Sequence, residues 1–360
     1  MLLASFYFVA GMALLVLGAN SLVNGAGKLA LSFGLSPLVV GLTVVAFGTS
    51  APEMAVSTAA VMSGTGDVAV GNVVGSNIFN ILVILGLSAV IVPLTVHIQV
   101  IRQELPILLG AAVLLMAFGV DGRLSLVEGI VLFLLMVVYT VYLVIQAKKA
   151  QPELQGDYEV ELTLPDRSSW QSRWYVQVGY VVAGLVMLVQ GSDWLVQGSV
   201  TFARAMGLSE LVIGLTIVAA GTSLPEVAAT LAAALKGERD MAVGNVMGSC
   251  AFNTLGCLGL AAMVSGIDGL TLAPSLLNFD LWVMLAAFFA CLPVFLSGHQ
   301  ISRWEGGLFV AYYVAYVAYL ILDAQSHAAL PVFSSAMLGF VLPLTIVTLI
   351  IVLIQPSQKK

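Results

Sequence analysis

The chain of 360 residues is 60% hydrophobic and only 9% charged, with a mean hydropathy of +1.05. Soluble domains carry about 25% charged residues, so a soluble protein is excluded, no nucleic-acid partner is expected, and the lipid bilayer becomes the solvent. The formal net charge of −6 decides nothing, because in a membrane protein the placement of the positive residues matters and their sum does not.

A helical span needs about 20 mostly apolar residues. Runs of that kind begin near residues 3, 36, 68, 104, 124, 174, 209, 241, 279, 304 and 333, which predicts eleven spans. The first run has no positive residue in Met1 to Ser5 and no A-x-A-like cleavage site, so it reads as a span and not as a signal peptide. Later runs such as Leu124 to Ile145 carry almost none of the charge that a surface helix of a soluble protein needs. Counting loops alternately, Lys28, Arg102, Lys148, Lys149, Arg167, Arg173, Lys236, Arg239, Arg303, Lys359 and Lys360 fall on one side, and Arg123 and Arg204 on the other. This split of 11 to 2 places the N-terminus outside and the C-terminus in the cytoplasm of a cell-membrane protein. It requires the stretch 333–354 to be a true eleventh span.

The second run, Val39 to Met62, contains Gly48-Thr49-Ser50-Ala51-Pro52-Glu53. Pro52 has no N–H and its ring meets the carbonyl of Gly48, so backbone oxygens near Gly48 and Thr49 lose their helical partners. Such a break survives in a membrane only where it lines protein or a watery cavity. With Glu53 one turn beyond Thr49, the motif offers a carboxylate, hydroxyls and bare carbonyls to one point. The third run adds Asn72, Ser76 and Asn80, four residues apart and so on one helix face, with Gly71 and Gly75 allowing close approach of another helix. Asp67 and Asp240 open the third and eighth runs and read as N-caps, whereas Glu104 and Asp280 read as snorkelling at the starts of the fourth and ninth. Asn20 and Asp193 occupy equivalent places in the first and sixth, and line an access path or a helix interface. Cys250, Cys257 and Cys291 lie in apolar stretches with no C-x-x-C pair, so neither a disulfide nor a zinc site is expected. His97, His299 and His327 lack metal-ligand spacing.

The polar stretch Lys148 to Arg173, with Pro152 and Pro165, divides the chain. At an offset of 173 residues Gly34–Leu87 aligns with Gly207–Leu260, and about 33 of 54 positions are identical without a gap. Self-similarity of this kind marks internal duplication. Each half holds five spans, an odd number, so the second copy enters the membrane from the opposite side. The fold class is therefore an all-α polytopic membrane protein of two inverted repeats, 1–147 and 174–323, joined by a linker at 148–173 and followed by an extra span at 330–356. Inverted repeats are common in secondary transporters, whose sites lie near the bilayer midplane. The second copy supplies Gly221-Thr222-Ser223-Leu224-Pro225-Glu226 and the stripe Asn245, Ser249, Asn253. A buried carboxylate costs about 2.5 kcal/mol or more at a helix centre, and here no intramembrane Lys or Arg lies at the matching depth to neutralise either one. The counter-charge is then a bound cation, and an all-oxygen site suits hard ions such as Na+ and Ca2+.

In GTSAPE with GNVVGSNIFN, and GTSLPE with GNVMGSCAFN, the chain resembles the cation/calcium exchanger superfamily, in particular its prokaryotic sodium/calcium exchanger-like members. The strings look like its α1 (34–87) and α2 (207–260) repeats. The resemblance implies a Na+/Ca2+ antiporter with those ions as substrates and no cofactor, in which the first and sixth spans slide over a fixed core. It implies Glu53 and Glu226 as ion-binding glutamates, Ser50, Ser223, Ser76 and Ser249 as hydroxyl ligands, Thr49 and Thr222 as carbonyl donors, and Asn80 and Asn253 as the last ligand pair. Some relatives carry Asp where this chain has Asn253, and Cys250 stands where Asn77 predicts Asn, at a position pointing away from the stripe. The central loop has no room for the regulatory domains of animal exchangers. Proton-coupled or K+-linked exchange is the alternative within transport. A passive channel is disfavoured because channels commonly ring an oligomeric axis, and an enzyme because the spans hold no nucleophile and base pair.

Overall fold

The computed structural model describes residues 2–149, 173–206 and 219–354. Its spans are helices, and their order follows the sequence reading. Span 1 is Leu2–Phe33, span 3 Gly66–Ile91, span 4 Val100–Asp121 and span 5 Leu126–Lys149; span 6 is Trp174–Ala205, span 8 Arg239–Val264, span 9 Leu276–Leu296 and span 10 Arg303–Ala324. Span 2 is broken into Pro37–Thr49 and Ala51–Met62, bent by 41°. Of span 7 the start near residue 209 lies outside the described residues, and Ala219–Gly221 and the half-helix Leu224–Leu235 are seen. An eleventh apolar helix, Leu330–Ile351, closes the chain. It rests on spans 9 and 10, where the Tyr312 hydroxyl donates to Thr345 Oγ1 at 2.5 Å.

The duplication is visible in the backbone. Wide π turns sit at matching places in both halves, at Asn80–Leu85 and Phe252–Cys257, and again at Val100–Glu104 and Leu276–Asp280. Two small antiparallel pairings join the halves: β1 (Leu94–Thr95) with β4 (Gln300–Ile301), and β2 (Arg123–Leu124) with β3 (Leu270–Thr271). Exchanging the two repeats turns β1 into β3 and β2 into β4, so one pairing becomes the other. Span 5 of the first half lies against span 8, and span 10 of the second lies against span 3. Each repeat thus covers the inner helices of its mate.

Spans 1 and 6 pack as an antiparallel pair through glycines seven residues apart, Gly11, Gly18 and Gly25 on one helix and Gly184, Gly191 and Gly198 on the other. In lipid no hydrophobic force joins two helices, and small residues that let backbones touch take its place. A Cβ on Gly18 would stand 2.9 Å from the Gly184 carbonyl oxygen, and one on Gly191 2.8 Å from the Leu15 nitrogen. The pair leans on the second repeat as well: span 1 packs along Leu224–Leu235, and Lys236 Nζ donates to Asn24 Oδ1 at 2.9 Å and to the Asn20 carbonyl at 3.1 Å.

Spans 3 and 8 form the centre, and span 8 is the most enclosed of all the described spans. Gly244 and Gly248 of span 8 meet the Leu38 and Leu42 carbonyls of span 2, which lets Ser249 and Asn253 lie against the break; Gly71 and Gly75 face no described residue. The N-cap reading of Asp67 and Asp240 is corrected. Thr65 and Glu238 hold the cap positions, and both aspartates lie in the first helical turn, where negative charge faces the positive helix end.

The glycine seam sets an expectation for stability. Gly191→Ala places a methyl into backbone and should cost about 1–3 kcal/mol as overpacking, seen as a lowered unfolding midpoint of detergent-purified protein. Gly179→Ala, at a glycine with open space around it, should leave the midpoint unchanged or raised.

Candidate functional site

Both helix breaks are made the same way. Ser50 has φ −81°, ψ 2° and Ser223 has φ −88°, ψ 4°, so the chain leaves helical geometry for one residue and restarts with Pro52 or Pro225 in the first turn, where a missing N–H costs nothing. Glu53 and Glu226 follow in that first turn, at the positive end of the new helix. Both are shut off from the surface, at 0% and 1% exposure.

The two motifs meet crosswise. Ser50 Oγ donates to Glu226 Oε1 at 3.1 Å, and Ser223 Oγ to Glu53 Oε1 at 3.2 Å, with Ser76 Oγ 3.5 Å from Ser223 Oγ. The Thr49 side chain lies beside Glu226 and that of Thr222 beside Glu53. Asn80, Ser249 and Asn253 are buried on the enclosing faces of spans 3 and 8, and both asparagines stand at π turns, a helix distortion frequent at functional sites. Several buried polar atoms here have no protein partner: Glu53 Oε2, Glu226 Oε2, both amide atoms of Asn80, Asn253 Nδ2, Ser249 Oγ and Thr222 Oγ1. Such atoms are rare in native interiors. Two of them are oxygens of the glutamates themselves.

Other expectations are revised by the contacts. Asn72 and Asn245 are on the stripe but are engaged sideways, Asn72 Nδ2 donating to Ser57 Oγ at 3.1 Å and Asn245 Nδ2 to Thr230 Oγ1 at 2.9 Å. The Gly221 carbonyl, freed by Pro225, accepts Ser192 Oγ of span 6 at 2.5 Å, so it is not a bare ligand; in the first repeat the position equivalent to Ser192 is Ala19, which has no hydroxyl to offer Gly48. Glu104 does not snorkel. It is 1% exposed and accepts from Tyr139 Oη at 2.5 Å and Gln99 Nε2 at 3.1 Å. Asp280 is held in the same manner by Tyr316 Oη at 2.8 Å, so in each half a tyrosine of the fifth helix ties down an acid at the start of the fourth. Asp193 is bonded to Gln197 on its own helix and the Asn20 amide to the Val16 carbonyl. Cys250 is buried with its thiol 4.0 Å from the Asn77 carbonyl, while Asn77 Nδ2 donates across the repeats to Thr254 Oγ1 at 2.8 Å.

An inverted repeat of membrane helices with two of them broken, their carboxylates crossed between the repeats, defines an ion-exchange transporter of the membrane. The family model described as sodium/calcium exchanger protein matches residues 3–145 and again 176–322, one match to each repeat. The chain is 38% identical over 330 residues to the putative antiporter CaxA of Alkalimonas amylolytica, covering 90% of this chain and 100% of that one. It is 33% identical over 310 residues to the sodium/calcium exchanger MaX1 of Methanosarcina acetivorans, 76% of this chain and 85% of that one. A solved structure of the sodium-calcium exchanger NCX_Mj superimposes with a TM-score of 0.74 at 31% identity, over 88% of this chain and 98% of the other. The chain belongs to the sodium/calcium exchanger family. It is a multi-pass cation antiporter and not an enzyme.

Proposed function

We propose that the protein exchanges Na+ for Ca2+ at one site shared by Glu53 and Glu226, with Ser50, Ser223, Ser76, Ser249, Asn80 and Asn253 supplying further oxygens and Thr49 and Thr222 the flanking ones. The observation that carries this reading is the pair of buried oxygens Glu53 Oε2 and Glu226 Oε2, which have no partner. No Lys or Arg occurs between residues 29 and 101, 205 and 235, or 240 and 302, so the neutralising charge has to come from outside the chain. Carboxylate, amide and hydroxyl oxygens match the about 6–8 hard ligands that Ca2+ takes. Because Na+ and Ca2+ would compete for the same two carboxylates, release of one is tied to arrival of the other.

The packing of spans 1 and 6 against each other supports alternating access. The glycine-locked pair of spans 1 and 6 moves over the core of broken and central helices, while the repeats 1–147 and 174–323 act as the two halves of the machine, with the span at 330–356 outside the exchange unit. Glu53→Gln or Glu226→Gln should abolish calcium uptake driven by a Na+ gradient in proteoliposomes while expression and folding persist, since the amide removes an uncompensated charge. Uptake unchanged in either variant moves the site elsewhere. The same vesicles given a pH or K+ gradient in place of Na+ distinguish proton-coupled or K+-linked exchange.

Two further expectations come from charge. Two carboxylates balance one Ca2+ or two Na+, and a third Na+ would leave net positive charge in a poorly screened interior. The cycle is therefore close to two Na+ per Ca2+. Asn253→Asp should raise divalent affinity and steepen the Na+ dependence, read as exchange current and Hill slope; a wild-type cycle that already moves one net charge, unaltered by this substitution, contradicts the charge argument. The split of positive residues puts the N-terminus outside and the C-terminus in the cytoplasm of the cell membrane. A reporter fused after Lys360 should be active on the cytoplasmic side, and external activity refutes the orientation.

A further inference from the structure

The two halves of the site are equivalent in sequence but not in hydrogen bonding. On one side Thr49 Oγ1 lies 3.3 Å from Asn245 Oδ1, and Asn245 Nδ2 donates to Thr230 Oγ1 at 2.9 Å. All three residues are fully enclosed, at 0%, 1% and 0% exposure. The positions related by the repeat are Thr222, Asn72 and Ser57. There Asn72 Nδ2 donates to Ser57 Oγ at 3.1 Å and Ser57 Oγ turns to the Ala69 carbonyl at 3.4 Å, while Thr222 Oγ1 is buried without a partner. The relay reaches the helix break on one side and stops short of it on the other.

The direction of the relay follows from its chemistry. An amide has one accepting and one donating atom; with Nδ2 spent on Thr230, Asn245 turns Oδ1 to Thr49, and Thr49 must be the donor. The same hydroxyl lies 3.4 Å from the Ala46 carbonyl and beside Glu226, so the relay fixes the side chain that borders the carboxylate and, through it, the backbone of the helix break.

We propose that Thr230 and Asn245 are positioning residues for the exchange site: they hold the Thr49 side chain in place, so that the Thr49 backbone carbonyl and the neighbouring Glu226 meet a cation already oriented. Thr222, which the Asn72 relay does not reach, is held less firmly. Binding is preorganised on the Thr49 side. This inference rests on the cation-site reading above.

The test uses full-length protein in proteoliposomes, with calcium uptake measured against calcium concentration at a fixed Na+ gradient. Thr230→Val keeps shape and removes the acceptor; it should raise the half-saturating calcium concentration roughly tenfold, as loss of an outer-shell partner does at metal sites, with the maximal rate changed much less. Thr230→Ser should rescue to within about twofold, by the same reasoning, because the hydroxyl is restored. Ser57→Ala, which cuts the equivalent bond on the side that does not reach a site threonine, should shift half-saturation far less than Thr230→Val. If Thr230→Val fails to fold, Thr230→Ala takes its place. Wild-type half-saturation in Thr230→Val, or an equal shift in Ser57→Ala, overturns the proposal. Retention of uptake in Glu53→Gln measured alongside would instead overturn the cation-site reading beneath it.

Discussion

Two carboxylates enclosed by helices, with no positive side chain bonded to them among the described residues, set the terms for the rest of this molecule. A buried charge left alone is among the most expensive features a protein can hold, and one inside a bilayer marks an ion pathway by default. Glu53 and Glu226 are made tolerable only in part by the protein: one oxygen of each accepts a serine hydroxyl from the opposite repeat, and each stands at the positive end of a half-helix. The remaining oxygens have no hydrogen-bond partner, which supports the proposal that a transported cation neutralises them. Under that proposal the site cannot be left empty without cost, and two ions that compete for it make the passage of one conditional on the other.

The inverted repeat is the simplest way to build such a site. One broken helix supplies a carboxylate and a hydroxyl pair; its inverted copy supplies the same set from the opposite direction, and the crossed serine bonds hold the two copies together. The same exchange symmetry pairs β1 with β4 and β2 with β3 at the rims, and lays spans 5 and 10 over the central helices of the other half. Spans 1 and 6 stand apart from this interlocking. Their contact is a seam of glycines, which gives a smooth, closely packed pair able to move as one body. Where the repeats differ, the difference bears on the site: Ser192 takes up the Gly221 carbonyl while the equivalent Ala19 has no hydroxyl, and the Asn245 relay reaches Thr49 while that of Asn72 does not reach Thr222.

Much of this was legible in the sequence because it is written in local pattern. Apolar runs announce the spans, the offset of 173 residues announces the duplication, and a proline three residues after a Gly-Thr pair announces the break and the carboxylate beside it. The eleventh span was legible from length and charge bias alone. What escaped depends on contacts between distant residues. Nothing near Glu104 says that Tyr139, 35 residues on, will hold it, so snorkelling was the natural expectation. Ser192 lies 29 residues from the carbonyl it satisfies, and Thr49 lies 196 from Asn245. Asp67 misled for a smaller reason: its helix begins two residues earlier than the apolar pattern does. The heptad of glycines in spans 1 and 6 was a readable signal at the repeat offset, overlooked because each glycine alone is unremarkable in a transmembrane helix.

The claim that both glutamates serve one shared cation is tested most directly by equilibrium binding of radioactive calcium to the purified, full-length protein, with Na+ as competitor, in the wild type and in the double variant Glu53→Gln with Glu226→Gln. The account predicts saturable binding of one Ca2+ per chain, its displacement by Na+ with a Hill slope above one, and loss of that binding in the double variant. Calcium binding that persists undiminished in the double variant, or that Na+ does not displace, would contradict it.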